Sequence, residues 1–504
     1  MANHLFDALR ASASDSSPFI EFPDGRVWTY ADAFALSARL ANVIRSHGVT
    51  AGDRVAVQLD KSAEALVLYL ACVRCGAVYL PLNPAYTIAE VDYFIGDAEP
   101  RLVVVSPSSR DAIAPIAARQ GAAIETLDAN GSGSLMDAAA GASDVFQNAE
   151  RGPDDLAALM YTSGTTGRSK GAMLTHDNLL SNAVTLREYW RVAANDRLIH
   201  ALPIFHTHGL FVATNVTLLA GASMFLLPKF DPDEILGLFA RSTMLMGVPT
   251  FYTRLLQSPR LDRAAVANMR LFISGSAPLL ADTHNEFSAR TGHAILERYG
   301  MTETNMNTSN PYDGDRIAGT VGFPLPGVSV RVTDPVTGET AATGETGMIE
   351  IKGPNVFKGY WRMPEKTAAE FTADGFFISG DLGKIDERGY VHIVGRGKDL
   401  VISGGFNIYP KEVESEIDAI SGVVESAVIG VPHPDFGEGV TAIVVRERSA
   451  TVDEAAVMDA LKDRLARYKQ PKRVIFVDDL PRNTMGKVQK NVLREQYKAL
   501  YASG

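Results

Sequence analysis

The stretch YTSGTTGRSKGA, Tyr161 to Ala172, decides how this chain is read. Thr162, Ser163, Thr165 and Thr166 crowd around Gly164 and Gly167, and the run closes on Arg168, Ser169, Lys170 and Gly171. Before it, Leu156 to Met160 is a short apolar run of the kind that forms a buried strand. After it, from about Thr175, the segment HDNLLSNAVTLREYW has helical periodicity, with Thr175 or Asp177 as its N-cap. Glycines let backbone N–H groups turn toward an anion, hydroxyls donate further bonds and a lysine adds charge. Strand, loop and helix together read as a phosphate cradle. It is not the P-loop of the NTPases, because Ser169 stands where GxxxxGK[ST] requires its second glycine.

Working outward, both flanks alternate strands with helices. RVAVQL (54–59) and RLVVVS (101–106) read as successive βα units of a mostly parallel sheet, with the apolar helix EALVLYLACVRC between them. Cys72 and Cys75 sit in that helix as CxxC without a second pair or nearby histidine, so they are expected to pack in the core. Beyond the loop, RLIHALPIF, ASMFLLPKF, TMLMGVPTF and RLFISGSAPL repeat the strand-and-turn pattern, and open α/β sheets place ligands at such strand exits. From Gly319 the texture changes to short alternating strands, a β-rich subdomain. Near Gly395 the chain starts again as a compact α+β domain. The expected fold is therefore α/β, with a large N-terminal domain (1–395) of several subdomains and a small C-terminal domain (396–504).

Composition narrows the class. A chain of 504 residues exceeds one ordinary core. A net charge of −11 excludes nucleic acid as a main partner, since phosphate backbones demand a basic face. The N-terminal segment MANHLFDALRAS has no signal-like apolar core, and Ala65 to Val73 is too short to span a bilayer. A cytoplasmic protein with no membrane partner is expected.

Three further segments carry chemistry. ERYGMTET (297–304) combines a stacking ring, Tyr299, with the Thr302 hydroxyl and the Glu303 carboxylate, which suits Mg²⁺ bound jointly with phosphate oxygens. GFFISGDLG (375–383) sets Asp381 in a turn after an aromatic strand, where a carboxylate can accept two ribose hydroxyls. PRNTMGKVQK (481–490) presents Lys487 after Gly486.

The central loop closely resembles the TSG[ST]TGxPKG signature of the adenylate-forming superfamily, which includes acyl-CoA synthetases, peptide-synthetase adenylation domains and beetle luciferases; Ser169 replaces the usual Pro. The resemblance extends through ERYGMTET, GFFISGDLG, GRGKDLVISGGFNIYPKEVE (395–414) and the Lys487 segment, so it covers nearly the whole chain. It implies ATP, Mg²⁺ and coenzyme A as cofactors and co-substrates. Thr162, Ser163, Gly164, Thr165, Thr166, Gly167 and Lys170 would hold the phosphates, with Thr165 and Glu303 at the metal. Glu297, Arg298, Tyr299, Gly300, Met301 and Thr302 would form the adenine and Mg·ATP element, with Ser276 and Ala277 of GSAPL on the acyl and adenine side. Asp381 and Arg396 would bind the ribose, Lys398 would be the hinge, and Gly404 and Gly405 would line the thiol tunnel after rotation. Lys487 would stabilise the adenylation transition state, and a lysine acyltransferase and deacylase would act on it.

The acyl group must be read from the pocket. LPIFHTHGL (202–210) carries His206 and His208 around Thr207, and Arg298 precedes Tyr299 where relatives that activate apolar acids have a small or neutral residue. A cation buried beside an acyl pocket needs an anionic partner, which a second substrate carboxylate supplies. The alternative is that Arg298 pairs with Glu297 or Glu303. HxHG with ERYGMTE looks like the malonyl-CoA synthetases in particular. That resemblance implies a ligase for a small dicarboxylate, malonate or methylmalonate, with His206, Thr207, Ser276, Arg298 and Met306 on the substrate. A synthetase for a medium-chain or aromatic monocarboxylate is the alternative.

Overall fold

Two sheets of unequal width carry the first part of the chain. The computed structural model describes residues 2–162, 169–335, 337–403, 406–462, 464–483 and 486–502. Backbone contacts divide it into two compact units, Met1–Ser329 with Ile351–Phe377, and Val330–Glu350 with Ile378–Gly504.

In the first unit a six-stranded sheet runs in the order Ala123–Thr126, Leu102–Val105, Arg54–Gln58, Val78–Pro81, Leu156–Thr162, Lys170–Thr175. All neighbours are parallel except the last pair, which is antiparallel. The expected βα pairing of 54–59 with 101–106 is present, with Val55 opposite Leu102. The loop expected to lead from a strand into a helix instead joins two antiparallel strands. Lys170–Thr175 intervenes before the helix His176–Tyr189, which Thr175 caps through a capping box with Asn178. The helix Ala63–Cys75 is apolar on every side because it is buried on every side, and Cys72 and Cys75 are free thiols within it.

The second sheet has nine strands, in the order Phe323–Pro324, Asn305–Ser309, Leu296–Met301, Leu271–Ser274, Met244–Gly247, Arg197–His200, Ser223–Leu226, Pro18–Glu21, Val27–Thr29. The six strands from Leu296–Met301 to Pro18–Glu21 are mutually parallel, so His200, Gly247, Ser274 and Met301 leave the sheet along one edge. Four of those six are the strands read from the sequence; Leu296–Met301 carries ERYGM as a strand, where the sequence suggested a turn, and the N-terminal hairpin Pro18–Thr29 is not foreseen by it.

The second unit holds most of the four-stranded β-rich sheet and a five-stranded sheet. In the latter, Val423–His433 and Gly437–Arg446 form a long antiparallel pair, and Arg473–Val477 joins in parallel. Its two faces are both covered. Val413, Ile417, Val457 and Leu461 of the helices Pro410–Asp418 and Glu454–Leu461 pack on Val428 and Val444, and Leu493 of Lys490–Tyr497 packs with Ile429 and Ile443. The architecture is thus the expected mixed α/β one: a large N-terminal body with parallel sheets, β-rich sheets and a small α+β C-terminal part.

Candidate active site

Arg298 is placed by its two neighbouring strands. It lies on Leu296–Met301, parallel to Leu271–Ser274 and antiparallel to Asn305–Ser309, opposite Ser309. Its side chain is buried, and among the described residues Nε and Nη2 have no hydrogen-bond partner. Neither Glu297 nor Glu303 pairs with it: among the described residues no carboxylate stands within ion-pair distance, and Glu297 Oε1 accepts the Leu279 N–H at 3.0 Å. Burial lowers its pKa from the ordinary arginine range to about 9, against a smaller opposing pull from Tyr252 and Glu297. It still carries its charge at neutral pH.

Gly275 makes room for this arginine. A Cβ there would come within 2.6 Å of Arg298 Nε and Nη1, so no side chain fits while the guanidinium stays. The next residue, Ser276, has φ +70, a left-handed conformation that costs a non-glycine residue energy and is kept only where the surroundings enforce it. Ser276 Oγ lies 3.3 Å from His208 Nδ1.

His208 opens the π-helical turn His208–Ala213. The turn is wide because the Gly209 carbonyl is drawn aside, accepting the His200 Nε2–H at 2.8 Å and the Thr214 hydroxyl at 3.2 Å. His200 Nδ1 in turn accepts from Lys61 Nζ at 3.0 Å, and Lys61 also donates to the His200 carbonyl at 2.7 Å. His208 is buried, its Nε2 has no partner among the described residues, and burial first, then Arg298, His206 and His200, lower its pKa well below the usual value. Thr207, buried before it, likewise has an unpartnered Oγ1. His206 is half-buried. Met306 is buried against Gly300, where a Cβ would meet its Cε at 2.8 Å, and Asn182 and Asn355 hold its carbonyl.

A second polar cluster is built around Glu303. Tyr360 Oη lies 3.1 Å from Glu303 Oε1 and 2.7 Å from Glu370 Oε2. Glu370 Oε1 pairs with Lys170 at 3.1 Å and Lys366 at 2.6 Å, and Lys170 Nζ sits 4.1 Å over the Tyr360 ring. Thr302, Tyr299, Met301 and Ala277 are half-buried around this strand end. Thr162 ends the strand before the loop; Ser163, Gly164, Thr165, Thr166 and Gly167, like Gly404 and Gly405, lie outside the described residues. No group of three or more metal-ligating side chains occurs among the described residues.

In the second unit Asp381 and Arg396 face each other across paired strands, with Nε 2.7 Å from Oδ1. Lys398 lies in the turn Gly397–Asp399, whose Asp399 pairs with Arg494 at 2.8 Å, and burial lowers the Lys398 pKa. The Lys487 backbone is held by Asn483, which accepts its N–H at 2.9 Å and donates to its carbonyl at 2.9 Å.

Lys61, His200, Tyr360, Glu370 and Gly275 were not singled out from sequence. Of these, only Gly275 stood in a recognised motif; the others act across up to 200 residues of chain, with no local pattern to mark them.

Two family models match: AMP-binding enzyme over residues 9–361 and AMP-binding enzyme C-terminal domain over 412–487. The ATP-bound crystal structure of MatB from Rhodopseudomonas palustris is 69% identical, with a TM-score of 0.98 over 99% of this chain and 100% of its own. A feruloyl-CoA synthase from an Amycolatopsis species is 39% identical over 94% of each chain. Malonate–CoA ligase of Arabidopsis thaliana is 34% identical over 97% of this chain and 88% of its own. The chain belongs to the AMP-binding enzyme family.

Proposed function

We propose that this protein joins malonate to coenzyme A at the expense of ATP, releasing AMP and pyrophosphate through an acyl-adenylate. The observation that carries this reading is the buried, unpaired Arg298 guanidinium beside the open polar atoms of His208 and Thr207. Such a site is costly unless an anion completes it. One carboxylate of malonate reacts, and the other takes charge-assisted hydrogen bonds from Arg298 and His208. The likeness to MatB and to malonate–CoA ligase supports the same substrate. The feruloyl-CoA synthase likeness supports an aromatic monocarboxylate, for which this site would leave Arg298 unpaired. Thr207 and Met306 bound the side a 2-methyl group would meet, so methylmalonate is a second candidate substrate.

In the first half-reaction the malonate carboxylate attacks the α-phosphorus of ATP and pyrophosphate leaves. The residues 162–170 hold the phosphates, Lys487 stabilises charge on the reacting phosphorus, and Asp381 and Arg396 bind ribose. Mg²⁺ would be held by Glu303, a buried hard oxygen donor, together with Thr302 and the Thr165 hydroxyl, and would neutralise phosphate charge. In the second half-reaction the chain pivots at Lys398, Gly404 and Gly405 line the thiol path, and CoA displaces AMP. His206 orients the acyl group. Lys487 is also proposed as the target of a lysine acyltransferase and deacylase. No helix among the described residues is long and apolar enough to cross a membrane, and a cytoplasmic location is proposed.

The test is CoA- and ATP-dependent AMP formation with malonate, methylmalonate, acetate, octanoate and ferulate. Malonate is expected to exceed the monoacids by orders of magnitude. Parity with acetate, octanoate or ferulate refutes the substrate.

A further inference from the structure

The Lys170–Glu370 pair has an asymmetry that the proposed function does not use. Glu370 has three donors: Lys366 at 2.6 Å, the Tyr360 hydroxyl at 2.7 Å and Lys170 at 3.1 Å, the longest of the three. Among the described residues Glu370 is the anionic partner of Lys170, and both side chains are largely buried. If Lys170 leaves, Glu370 keeps two partners and no uncompensated buried carboxylate results. For Lys170, leaving is favourable only when another anion replaces Glu370. Lys170 follows directly on the loop read as a phosphate cradle.

We propose that Glu370 is a positioning residue, an exchangeable counter-ion that parks Lys170 over the Tyr360 ring until a polyphosphate displaces it. This rests on the reading of the loop as a phosphate site.

The test is calorimetric binding of ATP and of tripolyphosphate to the metal-free protein, with wild type, Glu370→Gln, Lys170→Met and the double variant. Because this largely buried pair must open before Lys170 can meet the polyphosphate, Glu370→Gln is expected to tighten binding by about fivefold or more. Glu370→Asp is expected to restore the wild-type value. In the Lys170→Met background, Glu370→Gln is expected to change nothing. Lys366→Met, at a half-exposed position, throws Glu370 onto Lys170 and is expected to weaken binding, again only when Lys170 is present. No gain in Glu370→Gln, or a gain equally large without Lys170, overturns the proposal. If wild type binds polyphosphate but makes no AMP with malonate, the substrate reading fails and this one stands or falls separately.

Discussion

Replacing Arg298 with Met removes a charge while filling much of the same volume, and two effects of opposite sign follow. With substrate, the second carboxylate loses its cationic partner. Deleting one member of a buried, hydrogen-bonded charge pair costs about 3–5 kcal/mol, or roughly two to four orders of magnitude in kcat/KM for malonate. Without substrate, the wild-type guanidinium is a burden. A base whose pKa falls from the ordinary arginine range unfolded to about 9 folded destabilises the native state fully below pH 9, by an amount on the order of 4 kcal/mol. The burden is relieved only as pH rises above about 9. Arg298→Met should therefore melt several degrees higher than wild type at pH 7 in the absence of ligand. It should also lose the further rise that malonate with ATP gives wild type. Scanning calorimetry with and without ligands, beside pyrophosphate release from malonate and acetate, measures both arms. A variant that keeps malonate preference, or that melts lower than wild type while losing activity, refutes the argument, because Arg298 would then be a structural residue.

Gly275→Ala should reproduce much of the malonate defect without touching a polar group, since its methyl displaces the Arg298 guanidinium; unchanged malonate kcat/KM counts against the packing argument. Acid should destabilise the protein from pH 6.5 downward. His176 is held at about 4 by burial and by Arg151, and an unfolded histidine near 6.5 then favours unfolding by about 2 kcal/mol at pH 5. His176→Gln should flatten that limb in denaturant titrations at pH 5 and 7, whereas an unchanged slope rejects the assignment. Lys487→Ala should lower adenylation by at least about a hundredfold and leave thioesterification of supplied malonyl-adenylate much less affected. Equal loss of both half-reactions would contradict the division of labour.

Sequence alone determined what depends on neighbours in the chain. The strands at 54–58, 102–105, 197–200, 223–226, 244–247 and 271–274 announce themselves by apolar runs ending in turn residues, and the Thr175 cap by its position before a periodic segment. The loop 162–170, ERYGMTET and the Lys487 segment are likewise contiguous, so the resemblance to the family is legible without a fold. Whether Arg298 answers a neighbouring glutamate or faces an open site was not legible, because Glu297 is adjacent in sequence but turned away by strand geometry. Tertiary structure decided that, by laying Gly275, just past the end of the neighbouring strand Leu271–Ser274, against the guanidinium. It also decided the state of Lys170, whose partners Glu370 and Tyr360 arrive from about 200 residues away. Burial and long-range pairing set the energy of a charge, and neither is encoded in the few residues around it.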